Sequence, residues 1–326
     1  MGCTRPNVDL EFLMSIALLF SGQGSQYVGM GCGHEQGPVF EETWKEADDA
    51  LGEHLSEMVR HGPMDRLTLT RNAQPAILTL SVAMYRRLLA DRPDLNPSLA
   101  AGHSLGEYSA LVAAGVIKFA DALRLVRLRG EAMQGAIPSG VGGMVAFSGL
   151  DSEALMELCA EIGDRASGLH SGESVVEVAA YNTPAQLVVA GHARALERIV
   201  ERAQAKGVRR SVKLQVSTPF HCSLLKPAEA VLAEALQEVE FSRPNFPVFQ
   251  NVNGEASDDP DVIRGRLVEQ VSGPVLWVKC LEGLLGAGAT RFIELGPGRG
   301  LTGMVKKYDR KLNAKFTDRA GGFLAL

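Results

Sequence analysis

The segment that decides the fold is PSLAAGHSLGEYSALVAAGV, residues 97–116. Residues 97–101 form a short apolar run that predicts a strand, and residues 106–116 predict a helix. Between them lies GHSLG, with a glycine two residues before and two residues after Ser104. A G-x-S-x-G turn between a strand and a helix is the context of a nucleophile elbow, which presents a serine hydroxyl above a parallel sheet. Ser104 is therefore the candidate nucleophile.

On both sides of this segment, strand-like apolar runs alternate with helical segments. Residues 15–20, 246–252 and 291–295 are predicted strands, and residues 75–89 are a predicted helix. Such alternation is typical of an α/β protein with a mainly parallel sheet. We assign these elements to one core, residues 13–140 and 217–326, preceded by an N-terminal extension at residues 1–12.

The middle of the chain, residues 141–216, has a different order of elements. Strands predicted at 144–148, 175–180, 186–190 and 208–216 alternate with helices predicted at 152–162 and 193–206. A turn is predicted at YNTP, residues 181–184, between the second and third of these strands. The order β-α-β-β-α-β is that of a ferredoxin-like unit, so we predict an inserted subdomain between Gly140 and Ser217.

Composition narrows the possible partners. The chain has 326 residues with a formal net charge of −5 and 6% aromatic residues, so nucleic acid is not an expected partner. The five cysteines include no CxxC pair, which argues against a disulfide framework and against a zinc site. No apolar run reaches the length of a membrane span. We therefore expect reduced thiols, no metal and a cytoplasmic location.

A serine nucleophile needs a base, and the chain offers seven histidines. His221 follows the predicted strand 208–216, and a loop at the end of a strand is where an α/β sheet presents catalytic groups. His103 lies too close in sequence to fold back onto Ser104, and His170 lies in a Gly/Ser-rich loop of the insert. Spacing favours His221 without deciding the matter. The remaining histidines, expected in loops or on solvated helix faces, are His34, His54, His61 and His192.

Five motifs occur in a fixed order along the chain. They are FSGQGSQYVGMG at 20–31, AGHSLGEYSAL at 101–111, LRGEAMQ at 128–134, STPFHCSLLKP at 217–227 and ELGPGRGLTG at 294–303. Together they resemble the malonyl-CoA:acyl-carrier-protein transacylase family and the related acyltransferase domains of polyketide synthases. The resemblance implies an α/β-hydrolase-like core with a ferredoxin-like insert. Ser21 departs from the proline that is more usual before GQGSQ.

Roles follow from this resemblance, residue by residue. It implies that Ser104 is the nucleophile and His221 the general base and acid. Gln23 and Leu105 would donate backbone N–H groups to the oxyanion. Gln270 would hold the histidine through its backbone carbonyl, giving a dyad without a carboxylate. Its spacing alone does not exclude a plain residue at a helix end.

The resemblance also implies that Arg129 pairs with the free carboxylate of the malonyl group. A guanidinium binds a carboxylate through two parallel hydrogen bonds and stays protonated in a partly desolvated pocket. Arg124 and Arg127 are the nearby alternatives, but their helical offsets turn them away from Arg129, and we expect both on the surface.

Three residues bear on the acyl group. Leu105 and Phe220 match the pattern of malonyl-selecting acyltransferases, in which a phenyl ring fills the space that an α-methyl group needs. Discrimination by one methyl group is worth only ~1–3 kcal/mol, so this is a preference. Asn182 matches a position that lines the family's cleft, although an asparagine before Thr-Pro is also an ordinary turn residue.

The resemblance implies an enzyme that moves malonyl groups from malonyl-CoA to an acyl carrier protein, as a monomer and without a cofactor. The alternatives are a serine hydrolase, in which water resolves the same acyl-enzyme, and a non-catalytic subunit that docks the carrier protein. Two basic sets are candidates for carrier docking, with plain solvated faces as the alternative. They are Lys306, Lys307, Arg310 and Lys311 after the GPG turn, and Arg209 and Arg210 on the insert.

Overall fold

A computed structural model describes residues 15–32, 37–138, 140–150, 152–163, 174–216, 218–318 and 322. The N-terminal extension predicted at 1–12, His34 and His170 lie outside these residues. The strands are β1 (Ser15–Phe20), β2 (Pro97–Gly102), β3 (Gly142–Ser148), β4 (Val176–Thr183), β5 (Gln186–His192), β6 (Arg210–Lys213), β7 (Val248–Phe249), β8 (Ala289–Leu295) and β9 (Asn313–Phe316). The α-helices are α1 (Pro38–Leu51), α2 (Leu55–His61), α3 (Met64–Thr68), α4 (Thr70–Asp91), α5 (Leu105–Ala113), α6 (Phe119–Gly135), α7 (Ser152–Gly163), α8 (Ala193–Ala205), α9 (Lys226–Gln237), α10 (Pro260–Ser272), α11 (Trp277–Gly286) and α12 (Gly300–Tyr308).

A five-stranded parallel sheet forms the core, in the order β7-β2-β1-β8-β9. The central strand β1 reads SIALLF, and every residue after Ser15 is buried. A strand covered on both faces is a continuous apolar run rather than an alternating one, which explains this sequence. Phe20 pairs with Gly102 on one side and with Leu295 on the other, so three strands end at the same edge of the sheet.

A second sheet is antiparallel and four-stranded, in the order β4-β5-β3-β6. Helices α7 and α8 pack on it around a small separate core. Helix α8 buries Ala195, Leu196, Ile199 and Ala203, a spacing that places them on one face. The chain therefore folds as a mixed α/β protein with a parallel sheet and a smaller antiparallel layer. Within the described ranges, no helix combines the length and the apolarity that crossing a membrane requires.

Several predicted element boundaries were wrong. The strand predicted at 246–252 is reduced to β7, because the chain turns back at Gln250, whose N–H bonds to the carbonyl of Glu255. Strand β4 continues through Asn182 to Thr183, so the turn predicted at YNTP is reduced to residues 184–185. Helix α5 ends at Ala113 rather than at residue 116, since Gly115 adopts a φ of 75°.

Candidate active site

The elbow at Ser104 is built by close contact between backbones. Ser104 has φ 53° and ψ −107°, a left-handed conformation immediately before α5. A β-carbon on Gly106 would lie 2.0 Å from the carbonyl oxygen of Phe20, so only glycine allows α5 to start this close to β1. The serine hydroxyl is consequently held at the edge of the parallel sheet where β1 and β2 end.

His221 contacts the serine directly. Its Nε2 lies 2.7 Å from Ser104 Oγ, and its Nδ1 lies 2.9 Å from the carbonyl oxygen of Gln270 and 3.2 Å from that of Gly273. Because carbonyl oxygens only accept hydrogen bonds, we assign the ring proton to Nδ1, which leaves Nε2 to accept from the serine hydroxyl. Burial and the nearby Arg129 charge lower the pKa of His221 to about 3. The imidazole is therefore neutral near pH 7, the state that a general base requires.

Arg129 is buried beside this pair, with 1% of its surface exposed. Its guanidinium donates to Gln74 Oε1 at 2.9 Å, to Gln270 Oε1 at 2.9 Å and to Ser104 Oγ at 3.1 Å. All three acceptors are neutral, and among the described residues Arg129 forms no ion pair, while its Nε has no acceptor. Burial lowers the pKa of Arg129 from its usual value. A buried cation that lacks a carboxylate partner is complementary to an anionic ligand.

The other two arginines of α6 differ from each other. Arg124 is exposed, as predicted, and it pairs with Asp121. Arg127 is not a surface residue, so that prediction was wrong. Its Nη1 donates to Asn72 Oδ1 at 2.9 Å and its Nη2 to Glu53 at 2.9 Å, which satisfies the charge away from the serine.

A buried polar network that the sequence analysis missed supports the elbow. The Glu107 carboxylate accepts from Gln250 Nε2 at 3.1 Å, from the Asn251 N–H at 2.7 Å and from Gln270 Nε2 at 3.0 Å. Asn251 Oδ1 in turn accepts the Ser104 N–H at 2.7 Å. Three N–H donors fit the ionised carboxylate, whereas burial opposes ionisation and raises its pKa to about 7. Glu107 lies three residues after Ser104, a helical spacing that could have indicated its proximity.

The serine opens into a cleft of about 530 Å³ that both sheets line. The core contributes Ser104, His221 and Arg129 to its lining, and the antiparallel layer contributes residues that include Met144 and Asn182. The cleft therefore lies between the two layers.

The remaining predicted site residues lie around this cleft. Gln23 and Phe220 line it, whereas the Leu105 side chain is fully buried. A β-carbon on Gly22 would lie 2.5 Å from the carbonyl oxygen of His103, so the loop that carries Gln23 packs directly on the elbow. Within the described residues, the backbone N–H groups of Gln23 and Leu105 have no acceptor.

Two further histidines are buried or partly buried. His192, at the end of β5, is buried, which corrects the prediction of a solvated position. His103 is partly buried, and its Nε2 lies 2.8 Å from Asn182 Oδ1. Asn182 therefore bonds across the cleft from within a strand instead of forming the predicted turn.

Comparison with known proteins identifies the family. The model of a protein family described as "Acyl transferase domain" matches residues 17–316. The malonyl CoA-acyl carrier protein transacylase of Salmonella typhimurium is 44% identical over 303 residues, which cover 93% of this chain and 95% of that protein. The chain belongs to the acyl transferase family. This membership confirms the resemblance drawn from the five motifs.

Solved structures of family members have the same fold. The acyl-carrier-protein S-malonyltransferase of Burkholderia pseudomallei is 44% identical with a TM-score of 0.90, covering 96% of this chain and 99% of that one. A malonyl-transacylase in complex with a type II PKS acyl-carrier protein is 41% identical with a TM-score of 0.90, covering 95% of this chain and 98% of that one. The first relative is named as an acyl-carrier-protein S-malonyltransferase, and the second is described in complex with an acyl-carrier protein. At this coverage the similarity includes both sheet layers.

Proposed function

We propose that this enzyme transfers the malonyl group of malonyl-CoA to the phosphopantetheine thiol of an acyl carrier protein, through a malonyl-serine on Ser104. The observation that carries the proposal is Arg129. A buried guanidinium with neutral partners lies 3.1 Å from the serine oxygen, where an acyl group bearing a free carboxylate would extend. The names of the family members described above agree with this substrate pair.

The first half-reaction forms the acyl-enzyme. Ser104 Oγ attacks the thioester carbonyl while its proton passes to His221 Nε2, and the N–H groups of Gln23 and Leu105 stabilise the oxyanion. The tetrahedral intermediate then breaks its C–S bond, and the coenzyme A sulfur leaves with the proton from His221. Gln270 keeps the imidazole in the required tautomer through its backbone carbonyl.

The second half-reaction reverses these steps with a different thiol. The carrier thiol gives its proton to His221 and attacks the ester carbonyl, and Ser104 leaves with that proton. Both half-reactions use the same groups, so no cofactor is needed. Phe220 and Asn182 shape the cleft around the acyl chain.

The malonyl carboxylate has a second effect on the base. The Arg129 charge is one of the causes that lower the pKa of His221. Pairing of that charge with the substrate carboxylate weakens the repulsion, so the pKa of His221 rises when a dicarboxylic acyl group is bound.

We interpret the architecture as an α/β-hydrolase-like core, residues 13–140 and 217–326, with a ferredoxin-like insert at 141–216. The order β4-β5-β3-β6 and the helices between its strands support the second assignment. We further propose that the enzyme acts as a cytoplasmic monomer and supplies malonyl-carrier protein to fatty acid biosynthesis, with polyketide biosynthesis as the alternative.

The fate of the malonyl group on Ser104 distinguishes transfer to a carrier thiol from hydrolysis by water, which is the second candidate function. A serine hydrolase has no use for the Arg129 guanidinium beside its nucleophile. With radiolabelled malonyl-CoA and a thiolated carrier, we expect label to move to the carrier far faster than it appears as free malonate. If label appeared as free malonate faster than it moved to the carrier, the result would favour a hydrolase instead.

A further inference from the structure

Strand β4 lies at the edge of the antiparallel sheet, next to the core segment that holds the histidine. The Tyr181 N–H donates to the Val275 carbonyl at 2.9 Å, and the Val275 N–H donates to the Ala179 carbonyl at 2.9 Å. Val275 lies two residues after Gly273, whose carbonyl oxygen is 3.2 Å from His221 Nδ1. The insert is thus joined by backbone hydrogen bonds to the segment that orients the imidazole.

Glu177, near the start of β4, contacts the other side of the histidine loop. Its Oε2 accepts the Ser223 N–H at 2.8 Å, and its Oε1 accepts the Ser223 hydroxyl at 2.6 Å. Among the described residues Glu177 forms no ion pair, so both of its carboxylate oxygens are committed to Ser223. Ser223 lies two residues after His221 in the chain.

The backbone of His221 needs such support. Its φ is 61°, in the left-handed region that is unfavourable for residues other than glycine. Residues in this region persist where the surrounding structure fixes the chain on both sides, and they concentrate at functional sites. The carbonyls of Gln270 and Gly273 hold the imidazole, and Glu177 holds the backbone and hydroxyl of Ser223.

We propose that Glu177 is a positioning residue for His221, which acts from the insert through its two hydrogen bonds to Ser223. It fixes the loop so that His221 Nε2 stays 2.7 Å from Ser104 Oγ. The insert therefore contributes to the chemistry as well as to the wall of the cleft. This inference rests on the proposed function, since it takes His221 as the base.

The test measures single-turnover loading of Ser104 by malonyl-CoA, followed by intact mass. For Glu177→Ala we expect the maximal loading rate to fall by about 10- to 100-fold, because small displacements of a catalytic group have effects of this size. The malonyl-CoA concentration at half-maximal rate should change by less than about twofold, since Glu177 does not contact the substrate cleft. Ser223→Ala removes one of the two hydrogen bonds and should give an intermediate loss even if Glu177→Ala folds poorly.

Glu177→Gln is the conservative variant. Glutamine can accept from the Ser223 N–H and donate to its hydroxyl, so both hydrogen bonds are retained and the rate should stay within about threefold of wild type. Glu161→Ala is the matched control, because Glu161 is a carboxylate of the same insert that pairs only loosely with Lys206, at 3.9 Å.

Three results would overturn the inference. The first is an equal loss of loading rate in Glu177→Ala and Glu177→Gln, which would indicate a role for the charge. The second is a loading rate in Glu177→Ala equal to that of Glu161→Ala, and the third is an unchanged loading rate in Ser223→Ala. If wild-type enzyme did not load Ser104 at all, the proposed function would fail first.

Discussion

At the scale of the residue, Arg129 combines two features that are rarely found together. It is almost fully buried, yet its hydrogen bonds go to amide and hydroxyl oxygens rather than to a carboxylate. The buried Glu107 carboxylate interacts with this charge but does not form an ion pair with it. Burying a charge whose hydrogen-bond partners are all neutral is costly, so we infer that the arrangement has a function other than stability. The bound substrate would supply the missing carboxylate.

Arg129→Ala should therefore change which acyl group is used. Without the guanidinium, the malonyl carboxylate is desolvated and unpaired, which costs on the order of 2–5 kcal/mol, or about 30-fold to several thousand-fold in kcat/KM. Use of acetyl-CoA, which lacks the carboxylate, should be spared or improved. Arg129→Lys should recover only part of the malonyl activity, because an ammonium cannot form the two parallel hydrogen bonds.

The quantity to measure is the ratio of malonyl to acetyl kcat/KM, which cancels any loss of folded enzyme. Arg124→Ala is the control, since Arg124 lies on the same helix but is exposed and pairs with Asp121. Equal losses for both acyl groups in Arg129→Ala would show that Arg129 is structural and that the dicarboxylic preference has another source.

The residues that sequence could identify are those that lie within recognisable motifs. Ser104 follows from the elbow pattern alone, whereas His221 and Arg129 needed the family resemblance because neither lies at a diagnostic spacing from the serine. Gln74 and Asn251 were missed. Their contacts with Arg129 and Ser104 join residues 55 and 147 positions apart, which no local pattern predicts.

At the scale of the element, helix α12 links the cleft to a basic groove. Residues near its start, Leu301 and Met304, line the cleft. Lys306 and Lys307 near its end line a groove of about 790 Å³ together with Arg310 and with Arg209 of the insert. Four of the six residues in the two basic sets, which lie far apart in the sequence, therefore line one groove.

Neutralising this groove should weaken the carrier half-reaction alone. Acyl carrier proteins are typically acidic while this chain has a net charge of −5, so a local positive surface must guide docking. For Lys307→Gln combined with Arg209→Gln, we expect the KM for the carrier to rise by about tenfold and its salt dependence to flatten. Loading from malonyl-CoA should stay within about twofold of wild type.

The control neutralises two basic residues elsewhere, Lys118 and Arg243, whose side chains are 73% and 77% exposed. It should leave the KM for the carrier unchanged. Equal losses in both half-reactions of the groove variant would mean that the groove binds the phosphates of coenzyme A.

Element types were predictable where periodicity is strong, and element ends were not. Strand β1 was predicted at its observed bounds, because a run of buried apolar residues stops at a glycine turn. Strand β7 was overestimated, since Gln250 and Asn251 continue the run in sequence but turn to bond with Glu107. The end of β7 therefore depends on hydrogen bonds to a residue about 140 positions away, which a local sequence pattern cannot predict.

At the scale of the whole molecule, the site exists only where the two layers meet. The core supplies Ser104, Arg129 and His221, while the antiparallel layer closes the cleft and contacts the elbow through Asn182. The sequence predicted four strands of the parallel core and the order of strands and helices within residues 141–216, but it did not predict β9. It could not predict that Val275 pairs with β4, because a single bridge between distant segments leaves no periodic signal.

The central claim is that a malonyl group is carried on Ser104, and the most direct test is the location of the label. The enzyme is exposed briefly to malonyl-CoA, its intact mass is recorded, and peptides are mapped before and after addition of a thiolated carrier. We expect one malonyl group on the peptide containing Ser104, its loss when the carrier is added, and no label in Ser104→Ala. A malonyl group on a cysteine or on another serine such as Ser21, or loading of Ser104→Ala at the wild-type rate, would contradict the account.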